Sequence, residues 1–214
     1  MDAAGTKELG KTANTPRASC PTPKGNDYPP RKGCQALGEV TGFQKTADGK
    51  KHVFKVPSKG TIVGWRLALS KPNKRERSFF EKVLGNETAG GAPTARLALL
   101  SKGSGKKYRL RAQSPRMKLG SVLGHPETFT LNNPIPVKEG WTVALTTPTW
   151  VPSFAHDLGG KGDSWRASRT KKRCDGAKNL QDRSKPHKGV GTNRVYACSY
   201  KQARLLYWAY FLPD

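Results

Sequence analysis

Cationic side chains carry the most evident chemistry in this sequence, and they are densest in residues 161–188. That stretch holds ten lysines and arginines against three aspartates. Arginine grips a phosphate or carboxylate through two parallel hydrogen bonds, whereas lysine adds charge without that geometry. The pattern predicts the centre of an anion-binding surface beside Cys174, formed by Arg166, Arg169, Lys171, Lys172 and Arg173. The alternative interpretation is a solvated basic loop.

The aromatic residues near this charge bear on the class of anion. Surfaces that bind single-stranded nucleic acid interleave basic residues with stacking aromatic rings, but the basic stretch contains only Trp165. We therefore expect an acidic polysaccharide or cell-wall polymer as the partner and keep nucleic acid as the alternative.

The charge of the whole chain points the same way. The sequence has 39 Lys and Arg against 15 Asp and Glu, a formal net charge of +24. Such a field attracts nucleic acid, anionic lipid head groups and acidic wall polymers, with affinities that fall as salt rises. A second basic cluster consists of Lys71, Lys74, Arg75 and Arg77. Solubility through like-charge repulsion is the alternative explanation of the charge.

Motifs for phosphate binding and for serine hydrolysis are incomplete. Residues 103–106, Gly-Ser-Gly-Lys, match the end of the pattern G-x-x-x-x-G-K-[ST], but Leu100 replaces the first glycine and Lys107 the hydroxyl residue. Ser164 and His156 lie near one another in sequence, but the G-x-S-x-G elbow is absent. We interpret residues 103–106 as a hairpin turn and Ser164 as part of a glycine-rich loop.

Acidic residues and histidines give equally little support for catalysis. A glycosidase requires two carboxylates that flank the sugar, whereas most acidic residues here fall in predicted loops and only Glu39 lies on a predicted strand. The four histidines are scattered, and the aspartates do not repeat at calcium-loop spacing. We expect no catalytic residue, no metal and no cofactor, and keep a carbohydrate-active hydrolase as a further alternative.

The four cysteines form two pairs that are local in sequence, Cys20 with Cys34 and Cys174 with Cys198. Of the three connectivities that four cysteines allow, this one closes two loops that are otherwise loose. Disulfides indicate an oxidising compartment, so we expect an extracellular or cell-envelope protein. Residues 1–19 show no signal-peptide core, so export requires a removed signal or a different start site. A cytosolic protein with free thiols is the alternative.

The elements that position these residues are short strands, because apolar residues alternate with polar ones between turn signals. The pattern predicts strands at 36–43, 52–56, 61–69, 94–100, 108–112, 128–131, 141–147, 195–200 and 203–212. It predicts a buried core that includes Trp65, Leu67, Leu97, Leu110, Val143, Leu145 and Leu205. The longest apolar run, residues 205–212, is far shorter than the 18 or more residues of a membrane span.

One helix and many strands predict an all-β fold, a single antiparallel sandwich of the jelly-roll type. The helix is expected at 79–84, because Ser78 and Glu81 have capping-box spacing and Gly85 can end it. Residues 1–33 are rich in proline and glycine and predict a flexible basic arm, followed by the sandwich domain at 34–214.

A resemblance to a group of uncharacterised secreted proteins of soil actinobacteria rests on four segments. They are residues 34–44 (CQALGEVTGFQ), Phe79-Phe80, residues 137–152 (VKEGWTVALTTPTWVP) and residues 198–213 (CSYKQARLLYWAYFLP). The resemblance implies export and a β-sandwich, and it implies no reaction. We expect a noncatalytic module of the cell exterior or envelope that binds an acidic glycan or another polyanion.

Overall fold

The chain folds as an all-β protein with one short helix, as predicted. The structure is a computed structural model that describes residues 5–19, 34–84, 91–160, 162–170, 174 and 186–214. Within these residues every strand pairing is antiparallel.

The described residues contain fifteen strands and helix α1 (Lys74–Val83). The strands are β1 (Lys7–Leu9), β2 (Val40–Ala47), β3 (Lys50–Lys51), β4 (Gly60–Ala68), β5 (Thr94–Lys102), β6 (Lys107–Gln113), β7 (Met117–Lys118), β8 (Pro126–Val137), β9 (Thr142–Thr147), β10 (Phe154–His156), β11 (Ser164–Ala167), β12 (Asn193–Val195), β13 (Cys198–Lys201), β14 (Ala203–Leu205) and β15 (Tyr207–Pro213).

Two sheets pack across a common core. The smaller has the order β1-β15-β4-β8, and the larger has the order β12-β6-β5-β9-β2-β11-β13, with β3 beside β2 and β7 beside β5. Strands β10 and β14 form a separate two-stranded sheet. Trp65 and Phe211 of the smaller sheet lie in the same buried cluster as Leu97 and Val143 of the larger sheet. All seven residues predicted for the core are at most 1% exposed.

The larger sheet is buried on both faces. We call the face that packs against the smaller sheet the inner face, and the opposite one the outer face. Leu97 and Leu99 of β5 join the inner core, whereas Ala98 and Leu100 join a second cluster. That outer cluster is completed by three rings, which we call the aromatic triad: Phe43, Tyr108 and Tyr196. Their centroids lie 4.9 to 5.3 Å apart.

A β-bulge decides which face the residues of β6 occupy. Sequence alternation places Tyr108, Leu110 and Ala112 together, but the β5–β6 register shifts between Leu99 and Leu100. Tyr108 and Leu110 therefore join the outer cluster, and Ala112 packs against the inner core. An extra residue in one strand reverses the faces of everything beyond it.

Helix α1 begins five residues before the predicted start, which was wrong. The N-cap is Asn73, whose side-chain oxygen accepts a hydrogen bond from the Glu76 backbone N–H at 2.9 Å. The Glu76 carboxylate accepts in return from the Asn73 backbone N–H at 2.8 Å. This capping box satisfies two backbone donors that the helix leaves free. Gly85, the predicted stop, lies outside the described residues.

Several strand assignments also change. Residues 52–56, predicted as a strand, form a turn after β3, and the single strand predicted at 203–212 is divided into β14 and β15. The strand predicted at 128–131 is longer in both directions, since β8 runs from Pro126 through Val137. Proline is accepted there because β8 is an edge strand, where a missing N–H removes no ladder bond. Strands β10 and β11 lie in a segment that was predicted to be a loop, and β12 and β13 replace the single strand expected at 195–200.

A buried arginine holds the described part of the N-terminal segment. Arg204 is 1% exposed and donates hydrogen bonds to the Asn14 carbonyl at 2.8 Å and the Thr12 hydroxyl at 2.7 Å. Nearby, β1 pairs with β15. Residues 5–19 of the predicted arm thus dock on the sandwich, because a buried guanidinium requires acceptors and this backbone supplies them. The domain boundary at residue 34 stays a prediction.

The Cys174–Cys198 disulfide is present as predicted. Cys34 is also disulfide-bonded, and Cys20, its predicted partner, lies outside the described residues. In the described part of the chain no helix is both long and apolar enough to cross a membrane.

Histidine 187 makes stability depend on pH. Its ring is buried, stacks on Tyr196 and hydrogen-bonds the Thr192 hydroxyl at 2.8 Å. Burial, reinforced by the charge of Arg194, lowers the pKa of His187 from 6.5 to about 4. The folded protein therefore favours the neutral imidazole, so its contribution to stability is complete above pH 6.5 and is lost as the pH falls towards 4.

We predict that lowering the pH from 7 to 4 reduces the unfolding free energy of wild type more than that of His187→Asn. The difference between the two reductions should reach about 3 kcal/mol. Urea unfolding at several pH values measures the difference. His125→Asn, which alters an exposed histidine, is the control and should follow wild type. Parallel pH profiles for wild type and His187→Asn would contradict the assignment.

Candidate functional site

The structure separates the two described members of the predicted basic centre. Arg166 lies on β11 opposite Phe43 of β2, on the outer face. Arg169 follows β11 and is 7% exposed, with its guanidinium 5.6 Å from the centre of the Tyr200 ring. Tyr200 pairs with Trp165, whose ring belongs to the inner core. The two arginines therefore do not share a surface.

Arg169 is held by hydrogen bonds near the disulfide. Its Nη1 donates to the Tyr200 hydroxyl at 2.6 Å, and that hydroxyl donates to the Cys174 carbonyl at 3.2 Å. This network connects the segment after β11 to β13, so Arg169 has a structural role. Lys171, Lys172 and Arg173 lie outside the described residues, and the binding role of the five-residue set stays a prediction.

A different group of cations surrounds a cleft of about 600 Å3 on the outer face of the larger sheet. Five segments line this cleft: β2, the β3 turn, the β5–β6 hairpin, the start of β9, and β11. Its cationic side chains are Lys45, Lys51, Lys55, Lys102, Lys106 and Arg166. We call this surface the basic cleft.

The β5–β6 hairpin forms one rim of the basic cleft. The Gly103 N–H donates to the Lys107 carbonyl at 2.9 Å, and the Lys107 N–H donates to the Ser104 carbonyl at 3.1 Å. Gly105 has φ of +58°, which glycine adopts without steric cost. Residues 103–106 thus form the predicted hairpin turn, and Lys106 lines the cleft.

The turn after β3 forms the other rim. His52 has φ of +63°, a left-handed conformation that reverses the chain between Lys51 and Lys55. The Lys55 N–H donates to the His52 carbonyl at 2.8 Å, and Lys55 also bridges to Thr142 at the start of β9. Both lysines therefore line the cleft from a turn that is attached to the sheet.

Aromatic rings form part of the wall of the basic cleft. Phe43 and Phe54 are buried within the protein, whereas Tyr108 is partly exposed. Burial raises the pKa of the Tyr108 phenol, and the charge of Arg166 opposes part of that rise. Tyr108 and Arg166 are therefore electrostatic neighbours at physiological pH, with the phenol protonated.

The electrostatics of the cleft are one-sided. Its described lining contains no carboxylate, and none of its six cations forms an ion pair with a described residue. Several positive charges around a concave surface focus the field and concentrate anions. This arrangement can bind anionic groups at several points along one ligand.

The arrangement of reactive side chains does not form a hydrolytic centre among the described residues. The Ser164 hydroxyl hydrogen-bonds Thr46 at 2.7 Å, and His156 Nδ1 contacts Asp157 at 2.6 Å, so the two candidates do not meet as nucleophile and base. No group of three or more His, Cys, Asp or Glu in the described ranges could hold a metal ion.

Sequence reasoning missed five of the six cleft cations. They are spread over 62 residues, Lys45 to Lys106, and none belongs to the dense basic stretch. The nearest signal in the sequence is the group of cations on both sides of the 103–106 turn, from Lys102 to Arg111. Only the pairing of β2, β5 and β9 brings these lysines together.

Removal of the Tyr200 hydroxyl tests the structural role of Arg169. Tyr200→Phe leaves a buried guanidinium with one acceptor fewer, so we expect a loss of about 1 to 3 kcal/mol in unfolding free energy, measured by urea denaturation. Tyr210→Phe is the matched control, because the Tyr210 hydroxyl makes no hydrogen bond to a described residue. Equal stability of the two variants would contradict this role.

No protein-family model, curated protein or solved structure matches the chain.

Proposed function

We propose that this protein is a noncatalytic binding module that holds an acidic glycan or a related polyanion in the basic cleft. The observation that carries the proposal is a cleft of about 600 Å3 with six cationic side chains and no carboxylate in its described lining. An uncompensated group of cations is typical of a surface that receives its negative charges from a ligand.

The kinds of side chain support a polymer as the ligand. Five of the six cations are exposed lysines, four of them on two separate rims and Lys45 on β2. Lysines act as mobile point charges, and they suit a chain of anionic groups better than one small ion of fixed shape. Binding of this kind releases counterions and therefore weakens steeply with salt.

The proposed location is the cell exterior or envelope. The Cys174–Cys198 disulfide supports this part of the proposal, because such bonds persist in oxidising compartments. Acidic wall polymers and acidic polysaccharides occur outside the cytoplasm, where the proposed partner would meet the protein.

A charge-matched pair of variants tests the cleft. The cleft variant replaces Lys51, Lys55, Lys102, Lys106 and Arg166 with glutamine. The control variant replaces five exposed cations elsewhere, Lys74, Arg75, Lys82, Lys118 and Lys138. Both variants lose five positive charges. Affinity for fluorescent dextran sulfate is measured by anisotropy over a series of salt concentrations.

We expect the cleft variant to bind far more weakly than the control variant at low salt. The slope of log affinity against log salt should shrink by about one for each ionic contact that is lost. The control variant should retain most of the wild-type slope. Equal losses in the two variants would show that only net charge matters and that the cleft is no site.

A further inference from the structure

Arg166 differs from the other cations of the basic cleft. It is the single arginine in the described lining, and it is half-buried, whereas the five lysines are exposed. Its Nε atom is buried and has no hydrogen-bond partner among the described residues. β11 is paired on both sides, with β2 and β13, so the backbone that carries this guanidinium is held within the sheet. The guanidinium itself offers a planar fork of donors to an anion.

Tyr108 lies beside Arg166 and differs from the other rings of the cleft. Phe43 and Phe54 are almost wholly buried. Of the Phe, Tyr and Trp side chains in the described lining, a ligand can therefore reach Tyr108. Phe43 at 4.9 Å and Tyr196 at 5.0 Å hold it in place. The packing of the triad therefore fixes this ring before any ligand binds.

The two side chains share the outer face and are connected through Phe43. Arg166 pairs across the strands with Phe43, and Phe43 packs on Tyr108. A packed aromatic ring and, on the same face, a guanidinium without an ion pair to a described residue are suited to a ring-shaped ligand that carries a negative charge. The apolar C–H face of a sugar packs on an aromatic ring, and its anionic substituent pairs with arginine.

We propose that Tyr108 and Arg166 form a subsite for one negatively charged sugar unit, so that the cleft recognises ring and charge together. This inference rests on the proposed function, and it names glycan as the polymer. Nucleic acid is disfavoured because extended nucleic-acid surfaces stack successive bases on several rings, whereas Tyr108 is the one reachable Phe, Tyr or Trp ring in the described cleft.

The test compares three probes of similar charge: a heparin hexasaccharide, inorganic polyphosphate and a thymidine oligonucleotide. Polyphosphate carries charge without rings, and the oligonucleotide carries bases and phosphates. Calorimetric titration at low salt measures wild type, Tyr108→Leu, Tyr108→Phe, Arg166→Lys and the double variant Tyr108→Leu with Arg166→Lys. Arg75→Lys, on exposed helix α1, is the control for the arginine change.

For the hexasaccharide we expect Tyr108→Leu and Arg166→Lys each to weaken binding about tenfold, and Tyr108→Phe and Arg75→Lys to change it less than about twofold. The double variant should lose less than the product of the single losses, because both side chains hold the same sugar unit. Polyphosphate affinity should be unchanged by Tyr108→Leu, since that probe has no ring to stack.

A measurement on wild type removes any dependence on the folding of the variants. Saturation transfer from aromatic protons to the bound hexasaccharide should reach the ring C–H protons of one sugar unit most strongly. Absence of transfer from a bound hexasaccharide would overturn the proposal.

Three further outcomes would contradict either the subsite or the proposed function. If Tyr108→Leu weakens hexasaccharide and polyphosphate equally, the subsite does not exist while charge-based binding in the cleft stands. If the oligonucleotide alone shows the tyrosine dependence, the ligand is nucleic acid and the inference is wrong. If wild type binds no probe more tightly than the five-glutamine cleft variant does, the proposed function itself fails.

Discussion

The fold depends on one constraint: the larger sheet is buried on both faces. Leu97 and Leu99 point into the inner core, while Ala98 and Leu100 between them point into the outer cluster. Burial of apolar side chains supplies the main stabilisation of a fold, so the outer face requires a cover. The aromatic triad provides part of that cover, and the basic cleft lies on the same face beside it.

This packing also explains why the cleft is basic on its rims and aromatic at its wall. The wall must exclude water from Leu100 and Ala144, so Phe43 and Tyr108 pack there. The rims are turns that project into solvent, where lysines are well hydrated and repel one another little at physiological salt. Rigid rings beside mobile charges give a binding surface that loses little entropy at its centre and adapts at its margins.

Two buried arginines outside the lining of the cleft are held by hydrogen bonds within the protein. Arg169 bonds Tyr200 and, through it, Cys174, while Arg204 bonds the backbone of residues 10–14. Both guanidiniums are buried and bonded to acceptors of the protein itself, as buried charges must be. A high count of arginine and lysine therefore includes side chains that hold the fold together as well as the cations that line the cleft.

The positions of the cysteines indicated the pairing of Cys174 with Cys198, and composition gave the excess of charge. Local alternation of apolar and polar residues determined core residues such as Trp65 and Leu145 and most of the strands, although not β10 and β11. It did not determine that Asn73 caps the helix instead of Ser78, because both have plausible spacing, nor that a bulge moves Ala112 to the inner face. Tertiary structure alone decided the site, because Arg166, Tyr108 and the lysines lie on strands that meet through pairings distant in sequence. Alternation tells which residues share a strand face, whereas the order and register of strands decide which faces meet.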